Sequence, residues 1–143
     1  MSNNHLILGL GGTGGKVIRE IRKLLISSGH LNYEQGDTKF EFLYVDTSTD
    51  ELDKTEDWMV LGIDSMLERS QYLINKSGDI RPVLNDPASY PGLTKWINPT
   101  TVFDFVTANT AGAAQKRKLG RVVFAQNAPS FIRALDIRMK NLQ

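Results

Sequence analysis

The stretch LILGLGGTGGKV, residues Leu6 to Val17, places five glycines within seven residues directly behind an apolar run. Leu6, Ile7 and Leu8 read as a short strand buried on both faces. Beyond the glycines, Val17, Ile18, Ile21, Leu24 and Leu25 recur at helical spacing, and Lys16, Arg19, Glu20, Arg22 and Lys23 fill the opposite face. The glycines are therefore the turn between a buried strand and an amphipathic helix. Gly9, Gly11 and Gly14 satisfy G-x-G-x-x-G. Glycine admits positive φ and lets a ligand approach the backbone, and a helix N-terminus offers unpaired N–H groups to a phosphate. Five glycines exceed what a tight turn needs, which favours a phosphate site over a turn with no ligand.

Spacing tests two identities for such a site. A Walker A loop requires G-x-x-x-x-G-K-[ST]. Gly9 and Gly14 have the right separation, but Gly15 stands where lysine belongs. Ending the motif at Gly15-Lys16 also fails, because Leu10 is not glycine and Val17 is neither Ser nor Thr. A dinucleotide (NAD or FAD) Rossmann module requires an acidic residue at the end of the second strand, roughly 20 residues on. The next strand, Phe40 to Val45, ends in Asp46, and the polar loop from Ser27 to Thr38 accounts for the later position. This option stays open.

Composition bounds the remainder. The 143 residues suffice for one domain with a core, and 41% hydrophobic content suits a globular chain. A net charge of +1 gives no electrostatic argument for nucleic acid or membrane partners, and neither is expected. With no cysteine, disulfides and thiolate metal sites are excluded. The N-terminus has no signal-peptide pattern and no apolar run reaches bilayer length, so cytoplasmic residence is the default expectation.

Along the chain, Leu6 to Val45 reads as a βαβ unit. The polar loop Asp46-Thr47-Ser48-Thr49-Asp50 then lies at the same sheet edge as the glycines. Trp58 to Ile63 reads as a third short strand, and Met66, Leu67, Tyr72, Leu73 and Ile74 as a helix ending near Ser77-Gly78. Four prolines, Pro82, Pro87, Pro91 and Pro99, argue against helix before residue 100, and the region reads as an insertion with short helical turns around Trp96. Thr101 to Val106 fits strand or helix. Asn109 to Gln115 is a loop of small residues. A last helix starts near Lys118, and Pro129 is expected to kink or restart it near Ser130.

Three strand-end loops in this order resemble the tubulin/FtsZ superfamily, most closely its bacterial tubulin-like group. The segments are GLGGTGG, YVDTS and AGAAQKRKLGR. Gly112 to Arg121, GAAQKRKLGR, has the length of the FtsZ third-loop pattern GAGANPEVGR and matches it at Gly112, Ala113, Gly120 and Arg121. Val45 to Leu52, VDTSTDEL, is similar to the FtsZ second-loop pattern VNTDAQAL. The resemblance implies an α/β fold: a Rossmann-like three-layer parallel sheet forming the N-terminal part of a nucleotide-binding domain over residues 1–143. An insertion is expected at about 64–110.

It further implies GTP or GDP with magnesium as cofactors. Gly11, Gly12, Thr13 and Gly14 would hold the α/β-phosphates. Gly112, Ala113, Ala114 and Gln115 would surround the γ-phosphate, with Arg121 nearby. Asp46 and Thr47 would stand on the second loop, with Asp46 or Asp50 taking the magnesium side. Self-association or tubulin-like subunits are the implied partners, in a filament-forming GTPase. The family places a carboxylate two residues beyond Asp46, where this chain has Ser48. Its GGGTGTG-like loop and catalytic acidic loop are not in this sequence, so no catalytic residue is assigned. The expectation is a piece of a longer protein, without GTP turnover on its own.

Other candidates have plainer readings. Lys116 and Lys118 suit a solvated helix start, and Arg117 and Arg121 fit that role or an anion contact. His5 and His30 are isolated surface residues without metal-ligand spacing. Trp58 and Trp96 read as packing residues. A non-catalytic interaction module with a purely structural glycine turn is the third functional option.

Overall fold

The computed structural model describes residues 3–75, 81–90, 93–95 and 117–143. Its centre is a parallel sheet of β1 (His5–Leu10), β3 (Thr38–Asp46) and β6 (Tyr72–Ile74), with β3 in the middle. Register runs from His5 opposite Phe40 to Leu10 opposite Val45, and from Tyr44 opposite Tyr72 to Asp46 opposite Ile74. β2 (Glu34–Gln35) pairs antiparallel with the start of β3. The long helix α1 (Gly11–Ser27) makes the crossover from β1. The mixed α/β class and the parallel sheet are as expected from the sequence.

Period-two alternation along β3 divides the protein into layers. Phe42 and Tyr44 face α1 and form a core cluster with Ile18, Leu25, Trp58 and Leu67. Leu43 and Val45 are buried on the opposite face, the one shared by Glu41. There Glu41 meets Arg138 and Asn141 of the last helix. A strand covered by helices on both faces must be apolar throughout, and the sequence of β3 from Phe42 to Val45 is.

The α1 core face is not the stripe expected from the sequence. Ile18, Leu25 and Ile26 are buried, while Val17 and Leu24 are exposed. Arg22, placed on the polar face by its type, is buried at 2% exposure. Its Nε donates to the Ser65 carbonyl at 2.7 Å and its Nη2 to the Met66 carbonyl at 3.0 Å. The guanidinium lies 3.9 Å over the Tyr33 ring and 4.9 Å from that of Phe42. Burial lowers its pKa from the usual arginine value, against the opposing charges of Tyr33 and Glu41.

The segment after β3 departs furthest from expectation. Trp58 to Ile63 does not add a third strand to the sheet. It forms a small hairpin, β4 (Met59–Val60) with β5 (Ile63–Asp64), turned by Leu61 at φ 51° and Gly62 at φ 74°. Two successive positive-φ residues are the primed turn that suits a two-residue hairpin. The expected helix over Met66 to Ile74 is instead a 3₁₀ turn at Arg69–Gln71 running into β6, the third parallel strand. Trp58 is fully buried, as read from the sequence, and its Nε1 donates to the Glu51 carbonyl at 2.9 Å. A short helix, α3 (Arg81–Asn85), precedes two 3₁₀ turns, Pro87–Ser89 and Leu93–Lys95.

The chain closes with α4 (Arg117–Gln126) and α5 (Ala128–Asn141). Pro129 sits in the first turn of α5, where its missing N–H costs nothing, and so restarts the helix. Phe124 and Phe131 meet across the junction at 5.0 Å. No described helix is long and apolar enough to cross a membrane.

Candidate phosphate-binding site

β1 runs into α1 with no loop between. Leu10 is still extended at φ −115° and ψ 125°, and Gly11 makes the turn at φ +70°, a region that excludes most side chains. Three other glycines are demanded by close approach. A Cβ on Gly14 would lie 2.7 Å from the carbonyl carbon of Gly9, and one on Gly9 would lie 2.7 Å from the Gly14 oxygen. A Cβ on Gly15 would lie 2.9 Å from the Tyr44 ring. The fold itself thus accounts for Gly9, Gly11, Gly14 and Gly15, so the bare glycine count carries less weight than it does in the sequence.

Gly12 is the exception. A Cβ there would meet nothing closer than Oε1 of Glu51 at 4.0 Å, and its backbone needs no positive φ. It stands in the first turn of α1, where N–H groups lack partners within the helix. That turn has no side-chain cap and no acidic residue, so the positive end of a 17-residue helix is uncompensated from within.

The second loop stands beside it. Asp46 ends β3 on the face shared with Tyr44, and the Tyr44 hydroxyl donates to its Oδ2. Oδ1 accepts from the Thr47 N–H at 2.7 Å and the Ser48 N–H at 3.4 Å. This is the turn-forming geometry of an aspartate. The Ser48 hydroxyl accepts the Asp50 N–H at 3.1 Å, which leads into α2 (Asp50–Asp53). Tyr44 is wholly buried, and burial pushes its phenol pKa well above the usual value, reinforced by the hydrogen bond to Asp46.

Sequence reasoning missed Glu51. Its buried carboxylate is the nearest side-chain group to Gly12, and it pairs with Arg19 at 3.2 Å and Lys54 at 3.1 Å. A glutamate within DELD reads as part of a solvated helix, so nothing in the local pattern announces it. The clue is non-local: Arg19, which Glu51 neutralises, lies 32 positions earlier.

One end of the sheet therefore gathers Gly11 to Gly14, Asp46, Thr47, Glu51 and Arg19. Among the described residues no group of three or more His, Cys, Asp or Glu is placed to hold a metal ion. Gly112, Ala113, Ala114 and Gln115 lie outside the described residues, as do Lys116 and Trp96. Arg121 is exposed on α4. His5, at the start of β1, stacks on Phe40 at 5.4 Å.

A parallel β1–β3–β6 sheet with a glycine turn into α1 is the geometry that the resemblance implied. A family model described as tubulin-like matches residues 6–143. The chain belongs to the tubulin-like family. No curated protein and no solved structure matches it. In this tubulin-like chain, the match runs from the first residue of the glycine-turn stretch past the end of α5, so both described strand-end loops fall within it.

Proposed function

We propose that the chain binds a guanine nucleotide through the glycine turn, as part of a tubulin/FtsZ-like GTPase. The observation that carries this reading is Gly12, a glycine the fold does not require, at the uncapped start of α1 in a tubulin-like chain. The N–H groups of Gly11, Gly12, Thr13 and Gly14 take the α/β-phosphates. Gly112 to Gln115 surround the γ-phosphate in the same reading, with Arg121 contributing positive charge.

Magnesium fits the second loop. It is held mainly by phosphate oxygens and water and needs one or two protein carboxylates. Asp46 supplies one at the same end of the sheet, about one of its four lone-pair sites being left beyond the three hydrogen bonds of the turn. When bound, the ion neutralises charge between the phosphates and the carboxylates. The chain's own part is to hold Asp46 fixed through Tyr44, Thr47 and Ser48.

Equilibrium binding of labelled GTP, with unlabelled NAD as competitor, tests the reading. Saturable GTP binding that NAD does not displace is expected. NAD binding without GTP competition would transfer the turn to the dinucleotide class, with Asp46 on the ribose hydroxyls. A folded protein that binds neither would make the turn purely structural.

A further inference from the structure

At the opposite end of the sheet, where β3 begins and α5 ends, lies a cavity of about 340 Å3. Arg22, Lys39, Glu41, Glu68, Arg138 and Asn141 are among the residues on its wall. It is separate from the glycine turn: Glu41 and Asp46 are five residues apart on β3, about 16 Å at the rise of a strand.

The wall holds two buried guanidiniums. Arg22 is 2% exposed and Arg138 is 5% exposed. Arg22 donates only to two neutral carbonyls, those of Ser65 and Met66. Arg138 reaches one carboxylate, Oε1 of Glu41, at 3.5 Å. Nη1 of Arg22 and Nε of Arg138 are buried with no hydrogen-bond partner among the described residues.

Glu41 cannot serve both. Its Oε1 already accepts from the Phe42 N–H at 3.0 Å and from Gln71 Nε2 at 2.8 Å, and its Oε2 from Asn141 at 3.3 Å. Glu34 and Glu68, also on the wall, are exposed, and Glu68 and Asp64 oppose the charge of Arg22 less than Glu41 does. The Glu68 carboxylate caps the Gln71 N–H. Two buried positive charges thus face one buried negative charge. Arginine does not escape by losing its proton, as a buried lysine does. A buried cation short of a buried counter-charge is stabilised by an anion brought to it.

We propose that this cavity binds a small oxyanion, a carboxylate or a phosphate, between Arg22 and Arg138. Its volume falls within the range of small-ligand sites. Guanidinium donors are matched in geometry to both oxyanion types.

The test uses the full chain carrying Gly12→Val, so that the glycine turn cannot answer for the cavity. Inorganic phosphate and malonate are titrated separately. Binding is followed by the thermal transition and by the 15N–1H Nε resonances of arginine. Saturable binding of at least one anion is expected, with shifts at Arg22 and Arg138. Preference for phosphate would indicate a tetrahedral ligand, and preference for malonate a carboxylate. Arg138→Gln, with circular dichroism unchanged, should weaken binding at least tenfold. If that variant does not fold, the resonance shifts in the Arg138 protein decide. Absence of saturable binding by either anion, unmoved Arg22 and Arg138 resonances, or affinity unchanged in folded Arg138→Gln would overturn the proposal.

Discussion

Gly9 and Gly14 touch backbone to backbone, at a separation that leaves a Cβ on Gly14 only 2.7 Å from the Gly9 carbonyl carbon. The neighbour is main chain on a strand, which cannot swing aside. Gly14→Val should therefore destabilise the protein by at least about 2 kcal/mol, the scale of a forced overpacking. A Cβ at Gly12 meets only Oε1 of Glu51, at an ordinary contact distance of 4.0 Å, so Gly12→Val should keep the fold while blocking the approach of a phosphate to the α1 N-terminus. Urea melts of the two variants, with GTP binding by the folded one, check the pair. Unchanged GTP affinity in folded Gly12→Val would remove the turn from the site.

The Tyr44 phenol predicts an alkaline dependence. Its folded-state pKa is raised above the unfolded value of about 10. The folded state then keeps a proton that the unfolded state loses. The stabilisation is complete below about pH 10 and is lost progressively as pH rises above it. Tyr44→Phe removes this titration and also the donor to Asp46, at a cost of about 1 kcal/mol at neutral pH. Denaturant melts from pH 8 to 11 should show wild type losing stability faster than Tyr44→Phe above pH 10. Parallel curves would mean that the phenol ionises as freely folded as unfolded.

Asp46 has a structural duty and a proposed electrostatic one, and Asp46→Asn separates them. Asparagine keeps an oxygen for the Thr47 and Ser48 N–H groups, so the turn should persist. The charge is lost. A carboxylate near a polyphosphate repels it unless a cation intervenes. Asp46→Asn is therefore expected to weaken GTP binding several-fold with magnesium and to leave it equal or tighter without. Equal losses under both conditions would assign Asp46 to the turn or to a ribose.

The βαβ unit was legible because its signals are local and strong. An apolar run, glycines and a helical period follow one another from Leu6 to Leu25. The restart at Pro129 was legible for the same reason. The burial was not, since Leu8, expected inside a strand buried on both faces, and Val17 and Leu24, expected on the core stripe of α1, are exposed; the elements themselves failed between residues 58 and 74. Trp58 to Ile63 is apolar enough for a strand, but Leu61-Gly62 turns it back on itself, and leucine gives no warning of positive φ. β6 has three residues, too few to display alternation, and its place depends on pairing with β3. Arg22 reads as a surface charge by residue type, and nothing local singles out Glu51. Their burial follows from partners 43 and 32 positions away, the Ser65 carbonyl and Arg19, which no local window contains.

The last prediction concerns the outer edge of β1. One side of β1 pairs with β3 along its whole length, and no described strand pairs with the other. Leu8 and Leu10 on this strand are 41% and 59% exposed. An unpaired apolar edge is a template for another chain, and parallel sheets are ordinarily shielded. The chain is therefore expected to self-associate at rising concentration through β1. Leu8→Lys places a charge on that edge and should shift association to markedly higher concentration. Ile132→Lys, on the exposed face of α5, should shift it less. Light scattering across a concentration series reads both. A monodisperse wild-type monomer with a sharp thermal transition would show that the β1 edge is already covered. A larger effect from Ile132→Lys would move the contact to α5.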